Sequence, residues 1–299
     1  MDISNAFFDI TACCACPRHC GVDRTRTVGF CGVGDKIKIA RAAPHFWEEP
    51  CISGKGGSGA IFFSGCSLGC IFCQNKEISR GGFGVEIEAE RFAEICFELK
   101  SAGVCNINLV TPSHQLSLIL PTLRKIKKDL GIPIICNCGG YESPEALAAM
   151  CGVVDIYLPD FKFYDPALAE KYAHAKDYRE VAEAAIREMA RQTGEATFDK
   201  DGMMVRGTIV RHLVLPGHRE DSIKVIRRLG KLFAPNDILL SLMSQYTPVG
   251  EGPSRRLTTF EYRSVADVAT EIGFKGYFQG RSSAKEEYTP EFDLTGVRS

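Results

Sequence analysis

Three closely spaced cysteines form the most chemically specific pattern in this sequence. Cys66, Cys70 and Cys73 follow one another as Cys-x3-Cys-x2-Cys within a short loop. Three thiolates on one loop can hold three irons of a [4Fe–4S] cluster and leave the fourth iron open to a ligand. Gly65 and Gly69 allow the tight turns that would bring the three sulfur atoms onto one cluster. The spacing therefore predicts a catalytic iron–sulfur site, because a structural metal site has no open coordination position.

Two other interpretations explain this loop less well. Zinc usually takes four ligands from paired Cys-x2-Cys segments, and the loop supplies only half of that pattern. Cysteines that merely fill a hydrophobic core would not gather in a glycine-rich loop.

A second group of cysteines lies in the first 60 residues. Cys13, Cys16, Cys20 and Cys31 supply four thiolates within 19 residues, and Cys14 and Cys51 are available as replacements. Four thiolates can close the coordination shell of zinc or of an auxiliary [4Fe–4S] cluster, and a redox-active thiol pair is a third interpretation. The cysteines in apolar segments are interpreted as core residues: Cys96, Cys105, Cys136, Cys138 and Cys151.

The bulk composition excludes several classes of protein. The chain has 14 cysteines in 299 residues, yet its N-terminus lacks the charged and apolar regions of a secretory signal. The cysteines therefore indicate metal binding in the cytoplasm, where thiols stay reduced. The formal net charge is −1 and no apolar run is long enough to span a bilayer. Neither nucleic acid nor a membrane is an expected partner.

Short apolar runs alternate with helical periodicity from residue 60 onward. The runs predicted to be buried strands are 60–64, 105–111, 133–138, 153–159, 207–215 and 238–243. Between them, Phe92, Ile95, Cys96 and Leu99 fall on one helical face, and Pro121 suits the start of the next helix. This alternation predicts an α/β fold, a partial (β/α)6 parallel barrel with its active site at the carboxyl ends of the strands.

The chain divides into three predicted parts. Residues 1–59 form a cysteine-rich N-terminal extension, residues 60–280 the partial barrel, and residues 281–299 a polar tail expected to be loosely ordered. The glycine-rich run 54–59 reads as a hinge between the first two parts. Segment 44–50 holds the only tryptophan and two adjacent carboxylates, and it is either a wall of the substrate site or a structural lid.

The cysteine loop also resembles a known signature. Cys-x3-Cys-x-Phe-Cys after the first strand of a repeated βα pattern is similar to the motif of the radical S-adenosylmethionine (SAM) superfamily, and most similar to the branch with the pyruvate formate-lyase activating enzymes. Nearly the whole chain resembles an incompletely characterised subgroup of activating-enzyme-like proteins with a cysteine-rich N-terminal segment. The matching phrases are CPRHCGV, HFWEEPC, NINLVTPSH, CNCGGY, YLPDFKFY, RHLVLPG and MSQYTP.

The resemblance implies a definite activity. In the superfamily, the reduced [4Fe–4S] cluster binds SAM at its open iron and passes one electron to the sulfonium, which gives methionine and a 5′-deoxyadenosyl radical. The radical is expected to activate a glycyl radical enzyme, or otherwise to modify a small molecule or a peptide. A reduced flavodoxin or ferredoxin-type donor and a protein or peptide substrate are the expected partners. The alternatives from other classes are a non-catalytic iron–sulfur electron carrier and a zinc-stabilised binding protein.

The resemblance also implies residues that contact SAM. Phe72 is expected near the adenine, unless it serves only core packing. Asp160 and Lys162 are expected in the pocket, with a surface ion pair as the other interpretation. Arg211 and His212 are candidates for the SAM carboxylate or ribose. Neighbours on a strand point to opposite faces, so at most one faces the cavity, and Arg211 is favoured because a guanidinium grips a carboxylate with two hydrogen bonds.

One departure from the wider superfamily concerns the amino group of SAM. A Gly-Gly-Glu motif often ends the second strand there, and this chain reads Val-Thr-Pro-Ser-His at 110–114 instead. Thr111, Ser113 or His114 is expected to take its place, or else Asn137 at the end of the third strand.

Overall fold

A mixed sheet organises the part of the chain that the structure describes. The computed structural model describes residues 7–279 and 289–298, and ten strands within them share this sheet. The strands are β1 (Ile37–His45), β2 (Ser58–Phe63), β3 (Val85–Ile87), β4 (Ile107–Val110), β5 (Ile134–Cys138), β6 (Ile156–Pro159), β7 (Thr197–Phe198), β8 (Met204–Leu213), β9 (Leu239–Met243) and β10 (Gly276–Phe278). Their spatial order is β10-β9-β8-β6-β5-β4-β2-β1-β3, and β7 pairs separately with β8.

Seven neighbouring strands, from β2 across to β10, run parallel. Every residue of β2, β4 and β6 is buried, as expected for strands that are covered on both faces. Each of the six predicted apolar runs overlaps one of these strands, so the predicted parallel α/β fold is confirmed. The sequence does not predict β10, because its three residues are mostly exposed and form no apolar run.

Helices connect the strands and pack against the sheet. They are α1 (Pro50–Ser53), α2 (Lys76–Ser79), α3 (Ala89–Ser101), α4 (Leu116–Leu130), α5 (Pro144–Met150), α6 (Pro166–Ala173), α7 (Tyr178–Thr193), α8 (Arg219–Leu232) and α9 (Thr259–Ile272). Helix α3 buries the predicted face of Phe92, Ile95, Cys96 and Leu99. Within the described ranges, no helix combines the length and the apolar character needed to cross a membrane.

The proline in α4 does not lie where the sequence suggests. The helix begins at Leu116, directly after a 3-10 turn over Ser113–Gln115, and Pro121 lies inside it. The buried stripe of the helix already includes Leu116 and Ile119, so packing extends the helix upstream of the proline. The expectation that Pro121 starts the helix is therefore wrong, because burial outweighs the cost of about 3 kcal/mol that an internal proline carries.

The N-terminal extension is part of the sheet. Strand β1 pairs antiparallel with β2 and, at its beginning, with β3. The glycine-rich run 54–59 leads directly into β2, where the Gly59 N–H donates to the carbonyl of Asn106. A Cβ at Gly59 would lie 2.7 Å from that oxygen, so the end of the run is tightly packed and is not a hinge.

The C-terminal segment also packs on β1. The Leu294 N–H donates to the carbonyl of Ala40, and Arg41 Nη1 lies 2.6 Å from Asp293 Oδ1. Val297 is only 1% exposed. Residues 289–298 are thus docked, contrary to the expectation of a loosely ordered tail, while 280–288 and 299 lie outside the described residues.

Candidate active site

A cavity of about 270 Å³ lies at the carboxyl ends of the parallel strands. The three cysteines of the loop, Cys66, Cys70 and Cys73, line it. The other predicted site residues that line it are Phe72, Asn137, Asp160, Lys162 and Arg211. These residues are far apart in sequence, and they meet because parallel strands bring their carboxyl ends to one edge of the sheet.

The three cysteines lie on the loop that follows β2. Gly65 and Gly69 have φ angles of 84° and 57°, which glycine adopts readily. A Cβ at Gly69 would lie 2.0 Å from Arg80 Nε, so a side chain at this position would require the Arg80 guanidinium to move. The Sγ of Cys66 accepts hydrogen bonds from the N–H groups of Leu68 and Gly69, each at 3.4 Å. The loop therefore wraps tightly around its first thiol.

The donor set fits an iron–sulfur cluster. Burial raises the pKa of the Cys70 thiol to about 12, Lys162 acts in the opposite direction, and the neighbouring thiols add to the rise. A metal must therefore displace a proton from this thiol as it binds. Within the described residues, no three Cys, His, Asp or Glu side chains are close enough to share one metal ion. Three thiols spread along one loop suit a multi-iron cluster, in which each iron takes its own thiolate.

Aromatic side chains support the cysteine loop. Phe72 is 8% exposed, and its ring centroid lies 6.2 Å from that of Phe163, 5.8 Å from that of Tyr172 and 6.2 Å from that of Tyr246. Such aromatic pairs contribute about 0.5–1.5 kcal/mol each beyond the area that they bury. Phe72 thus joins the loop to the barrel and also lines the cavity.

Asp160 and Lys162 form an ion pair beside the cysteines. Lys162 Nζ donates a hydrogen bond to Asp160 Oδ2, and each side chain is 23% exposed. Burial by itself would lower the pKa of Lys162, but Asp160 and then Cys70 outweigh it and raise the pKa. The ammonium therefore remains charged next to the cysteine loop.

Arg211 forms a buried ion triad with the N-terminal extension. Its Nε lies 2.9 Å from Glu49 Oε1, and its Nη2 also donates to Glu48 and Glu49. All three side chains are at most 10% exposed. Burial alone would lower the pKa of Arg211 and raise that of Glu49, but their opposite charges reverse both shifts. The guanidinium is therefore held by protein carboxylates.

Sequence reasoning missed this partnership. It singled out segment 44–50, and the structure shows that Glu48 and Trp47 line the cavity while Glu49 is buried. The segment is thus both a wall of the cavity and a packed lid. The available signal was a pair of adjacent acidic residues in the otherwise mostly apolar segment 44–50, because buried carboxylates require a cation from elsewhere in the fold.

His212 does not line the cavity. Its Nδ1 lies 2.6 Å from the carbonyl oxygen of Phe161, and the residue is 1% exposed. Because strand neighbours face opposite sides, only Arg211 of this pair reaches the cavity. The structure thus corrects the expectation that His212 contacts the cofactor.

We expect buried histidines to make stability depend on pH below neutrality. Burial lowers the pKa of His212, and likewise that of His114, to about 4 from 6.5. Between these pH values the unfolded chain binds protons that the folded chain does not, so the free energy of unfolding falls as the pH drops from 6.5 towards 4. Each histidine contributes up to about 1.4 kcal/mol per pH unit. Urea unfolding at pH 7, 6 and 5 should show a shallower slope for His212→Gln; an identical slope would contradict the assignment.

The residues at the end of β4, where the sequence departs from Gly-Gly-Glu, include a strained threonine and partly line the cavity. Thr111 has a φ of 58°, a left-handed conformation that is rare for a β-branched residue. Its N–H donates to the carbonyl of Asn137 at 2.7 Å. Thr111, Ser113 and Asn137 line the cavity. His114 does not, since it is 1% exposed and its Nε2 lies 2.7 Å from the carbonyl oxygen of Ser64.

The structure brings four N-terminal cysteines together, places Cys14 near two of them, Cys13 and Cys20, and separates Cys51 from the group. The thiols near enough to act on one another electrostatically are those of Cys13, Cys16, Cys20 and Cys31. Cys14 donates its S–H to the carbonyl of Ala12 at 3.3 Å. Cys51 lies against Tyr277 and Glu49 in another part of the fold, so it is not a replacement for any of the four.

The remaining cysteines are mostly core residues, as expected. Cys96, Cys136 and Cys138 are buried and Cys105 is half-buried. Cys151 is exposed at the end of α5, so the expectation that it belongs to the core is wrong.

Fold and site together define an α/β protein with a largely parallel sheet and three cysteines on one loop at a cavity beside the carboxyl ends of its strands. The family model of the radical SAM superfamily matches residues 60–230. The chain belongs to the radical SAM superfamily, and this membership implies a [4Fe–4S] cluster and SAM.

Individual proteins resemble the chain in sequence or in fold. An uncharacterized protein of Methanocaldococcus jannaschii is 28% identical over 274 residues, which cover 86% of this chain and 74% of that protein. Streptococcus suis SuiB bound to precursor peptide SuiA has a TM-score of 0.51 at 12% identity and covers 72% of this chain and 46% of that one. A radical SAM methyltransferase from Sphaerobacter thermophilus has a TM-score of 0.51 at 14% identity, covering 74% of this chain and 65% of that one. This chain spans less than two thirds of either solved structure, and the likeness shows the shared partial-barrel fold.

Proposed function

We propose that this protein cleaves SAM reductively and uses the resulting 5′-deoxyadenosyl radical to abstract hydrogen. The observation that carries the proposal is the position of Cys66, Cys70 and Cys73 on one loop that lines a cavity, together with charged side chains from neighbouring strands. When bound to these thiols, the reduced [4Fe–4S] cluster supplies the electron that breaks the carbon–sulfur bond of SAM. The chain's own residues hold that cluster, orient SAM and close the cavity.

Lys162 is the side chain that we assign to the carboxylate of SAM. The sequence favours Arg211 for this role, but Glu48 and Glu49 already bind that guanidinium. Lys162 lies close enough to Cys70 to affect the pKa of its thiol, so it can reach a group bound beside the cysteine loop. Asp160 holds the ammonium in place.

Replacing Lys162 with methionine is expected to weaken SAM binding by roughly 10- to 150-fold, the equivalent of about 1.5–3 kcal/mol for a hydrogen bond to a charged group. Isothermal titration of the reconstituted protein with SAM would measure the change. Lys224→Met is the matched control, because Lys224 is exposed on α8 and should leave the affinity unchanged. Equal affinity in the Lys162 variant and the wild type would remove Lys162 from the site.

The methionine amino group of SAM is assigned to the end of β4. Thr111, Ser113 and Asn137 offer hydroxyl and amide oxygens along the cavity wall. The strained φ of Thr111 supports this assignment, because backbone strain in proteins concentrates where ligands are held.

Activation of a glycyl radical enzyme is the specific reaction that we favour. Phe46 and Trp47 are 54% and 50% exposed, and Trp47 also lines the cavity. Large exposed aromatic side chains beside a cavity are typical of protein-binding surfaces, and a glycyl radical activase must admit a loop of its protein partner. Radical modification of a peptide or a small molecule is the second candidate.

The proposed partner for reduction is a one-electron donor of the flavodoxin or ferredoxin type. All 14 cysteines are free of disulfides, which suits a reducing compartment such as the cytoplasm. We also infer that the four N-terminal thiols bind metal.

Anaerobic reconstitution with iron and sulfide tests the catalytic proposal. We expect a [4Fe–4S] electron paramagnetic resonance (EPR) signal that changes when SAM is added, and 5′-deoxyadenosine when a reductant is added as well. If the EPR signal of the cluster does not change with SAM and no 5′-deoxyadenosine forms, the result would support a non-catalytic iron–sulfur electron carrier. Zinc in place of iron would support a zinc-stabilised binding protein.

A further inference from the structure

The N-terminal cysteines are brought together by a series of backbone turns. The Cys13 N–H donates to the Val22 carbonyl, and the Gly21 N–H donates back to the Cys13 carbonyl, each at 3.0 Å. A Cβ at Gly29 would lie only 2.6 Å from Cys20 Sγ, so this thiol rests against the segment that leads to Cys31. The folded backbone thus gathers thiols that lie up to 18 positions apart in the sequence.

Two of these thiols share the local geometry of the active-site loop. The backbone N–H groups of Arg18 and Val33 lie close enough to the thiols of Cys16 and Cys31 to act against the rise in their pKa that burial causes. In both cases the N–H group lies two residues after the cysteine, as that of Leu68 does for Cys66. N–H groups directed at the cysteine sulfurs tune the reduction potential of iron–sulfur clusters.

A buried cation beside these thiols lacks a full set of partners. Arg24 is 3% exposed and donates to the carbonyl oxygens of Gly34 and His114 at 2.7 and 3.0 Å. Its Nη2 has no hydrogen-bond partner. The guanidinium lies close enough to Cys31 to act on that thiol electrostatically. Because an uncompensated buried charge is strongly unfavourable, the site requires nearby negative charge, which metal-bound thiolates supply.

The four-cysteine group connects the surface to the active-site loop. Cys20 is exposed at one side. At the other side, a Cβ at Gly65 would lie 2.4 Å from the carbonyl oxygen of Cys31, and Gly65 directly precedes Cys66. Arg18 Nε adds a 2.8 Å hydrogen bond to the carbonyl oxygen of Ser67. The N-terminal group is therefore in direct backbone contact with the loop that needs an electron.

We propose that Cys13, Cys16, Cys20 and Cys31 hold a second [4Fe–4S] cluster through which electrons enter the active site. This inference rests on the proposed function. A low-potential donor of the flavodoxin or ferredoxin type loses one electron to the N-terminal cluster. That cluster returns to its oxidised state as it reduces the active-site cluster, and no proton or bond changes place. Zinc has no accessible redox change, so it could not fill this role.

The first test removes the active-site ligands from the full chain. The triple variant Cys66→Ala, Cys70→Ala and Cys73→Ala is expected to take up about four irons on reconstitution, where the wild type takes up about eight. Its reduced EPR signal should not change with SAM. Zinc in the triple variant, or no bound iron, would overturn the proposal. This result does not depend on SAM cleavage, so it is separate from the test of the proposed function.

The second test measures how fast electrons reach the active-site cluster. Cys20→Ala alters an exposed ligand, and stopped-flow mixing with reduced flavodoxin should show the active-site cluster reduced at least about tenfold more slowly than in the wild type. Cys151→Ala changes an exposed cysteine outside both groups and should match the wild type in iron content and rate. Circular dichroism would verify that both variants fold. An unchanged rate in Cys20→Ala would overturn the relay. If the wild type binds eight irons yet forms no 5′-deoxyadenosine, the catalytic proposal fails while the second cluster stands.

Discussion

Replacing Cys70 with alanine is expected to abolish the formation of 5′-deoxyadenosine from SAM, with a decrease of at least about 1000-fold. The physical reason is that the cluster loop has three thiols, and a cluster with an open iron needs all of them. Liquid chromatography of reductant-treated, reconstituted protein would measure the product. The chain should remain folded, because losing one half-buried thiol costs only about 1 kcal/mol.

The matched control for this prediction is Cys151→Ala, since Cys151 is an exposed cysteine far from the loop in sequence. Its product yield should equal that of the wild type. Urea unfolding of both variants would establish that any loss of product is not a loss of fold. Product at wild-type levels from Cys70→Ala would sink the assignment of the catalytic cluster.

Replacing Arg211 with leucine is expected to destabilise the fold by about 3–5 kcal/mol, because it leaves two buried carboxylates without their cation. The side chain of Glu49 is only 6% exposed, so water cannot replace the guanidinium there, while Glu48, 10% exposed, lines the cavity. The midpoint of urea unfolding would measure the change. The same variant should detach segment 44–50 from the barrel and so lower SAM affinity as well.

A variant in which all three charges are removed shows whether the expected loss of stability comes from unbalanced charge or from lost packing. Combining Arg211→Leu with Glu48→Gln and Glu49→Gln removes all three charges, and most of the lost stability should return. Arg227→Leu, on the exposed face of α8, serves as the surface control and should change stability by less than about 0.5 kcal/mol. A triple variant no more stable than Arg211→Leu alone would show that packing, rather than charge, holds the segment.

The parallel strands could be predicted from sequence because a strand that is buried on both faces has apolar residues at most consecutive positions. All four residues of β4 are buried, and so are all four of β6, so each strand reads as a mostly apolar run, which only Asn108 interrupts in β4. The sequences of strands β1 and β3 show no such run of apolar residues. Their exposure alternates or is intermediate, and β1 is fixed by long-range pairing with β2, which no local pattern encodes. Helix α4 illustrates the same limit, since packing of Leu116 overrides the local preference of Pro121.

Some features of the candidate site could likewise be predicted from the sequence, and others could not. The positions of Cys66, Cys70 and Cys73 follow from spacing alone, because the three thiols lie on one loop. The partners of Arg211 do not, because Glu48 and Glu49 precede it by more than 160 residues. The side toward which His212 points depends on the register of β8, which side-chain alternation limits to two choices but does not settle. Contacts between distant segments thus account for most of what sequence reasoning missed.

The SAM-binding role proposed for Thr111 places thermal stability and cofactor binding in opposition. A β-branched residue held at a φ of 58° costs on the order of 1–2 kcal/mol, and glycine would adopt this conformation without strain. Selection for heat resistance alone would therefore favour glycine at this position. The substitution would also remove the hydroxyl from the cavity wall and loosen the backbone that carries it. A thermostability screen without a SAM-binding readout would therefore enrich variants that unfold at a higher temperature than the wild type but bind SAM more weakly.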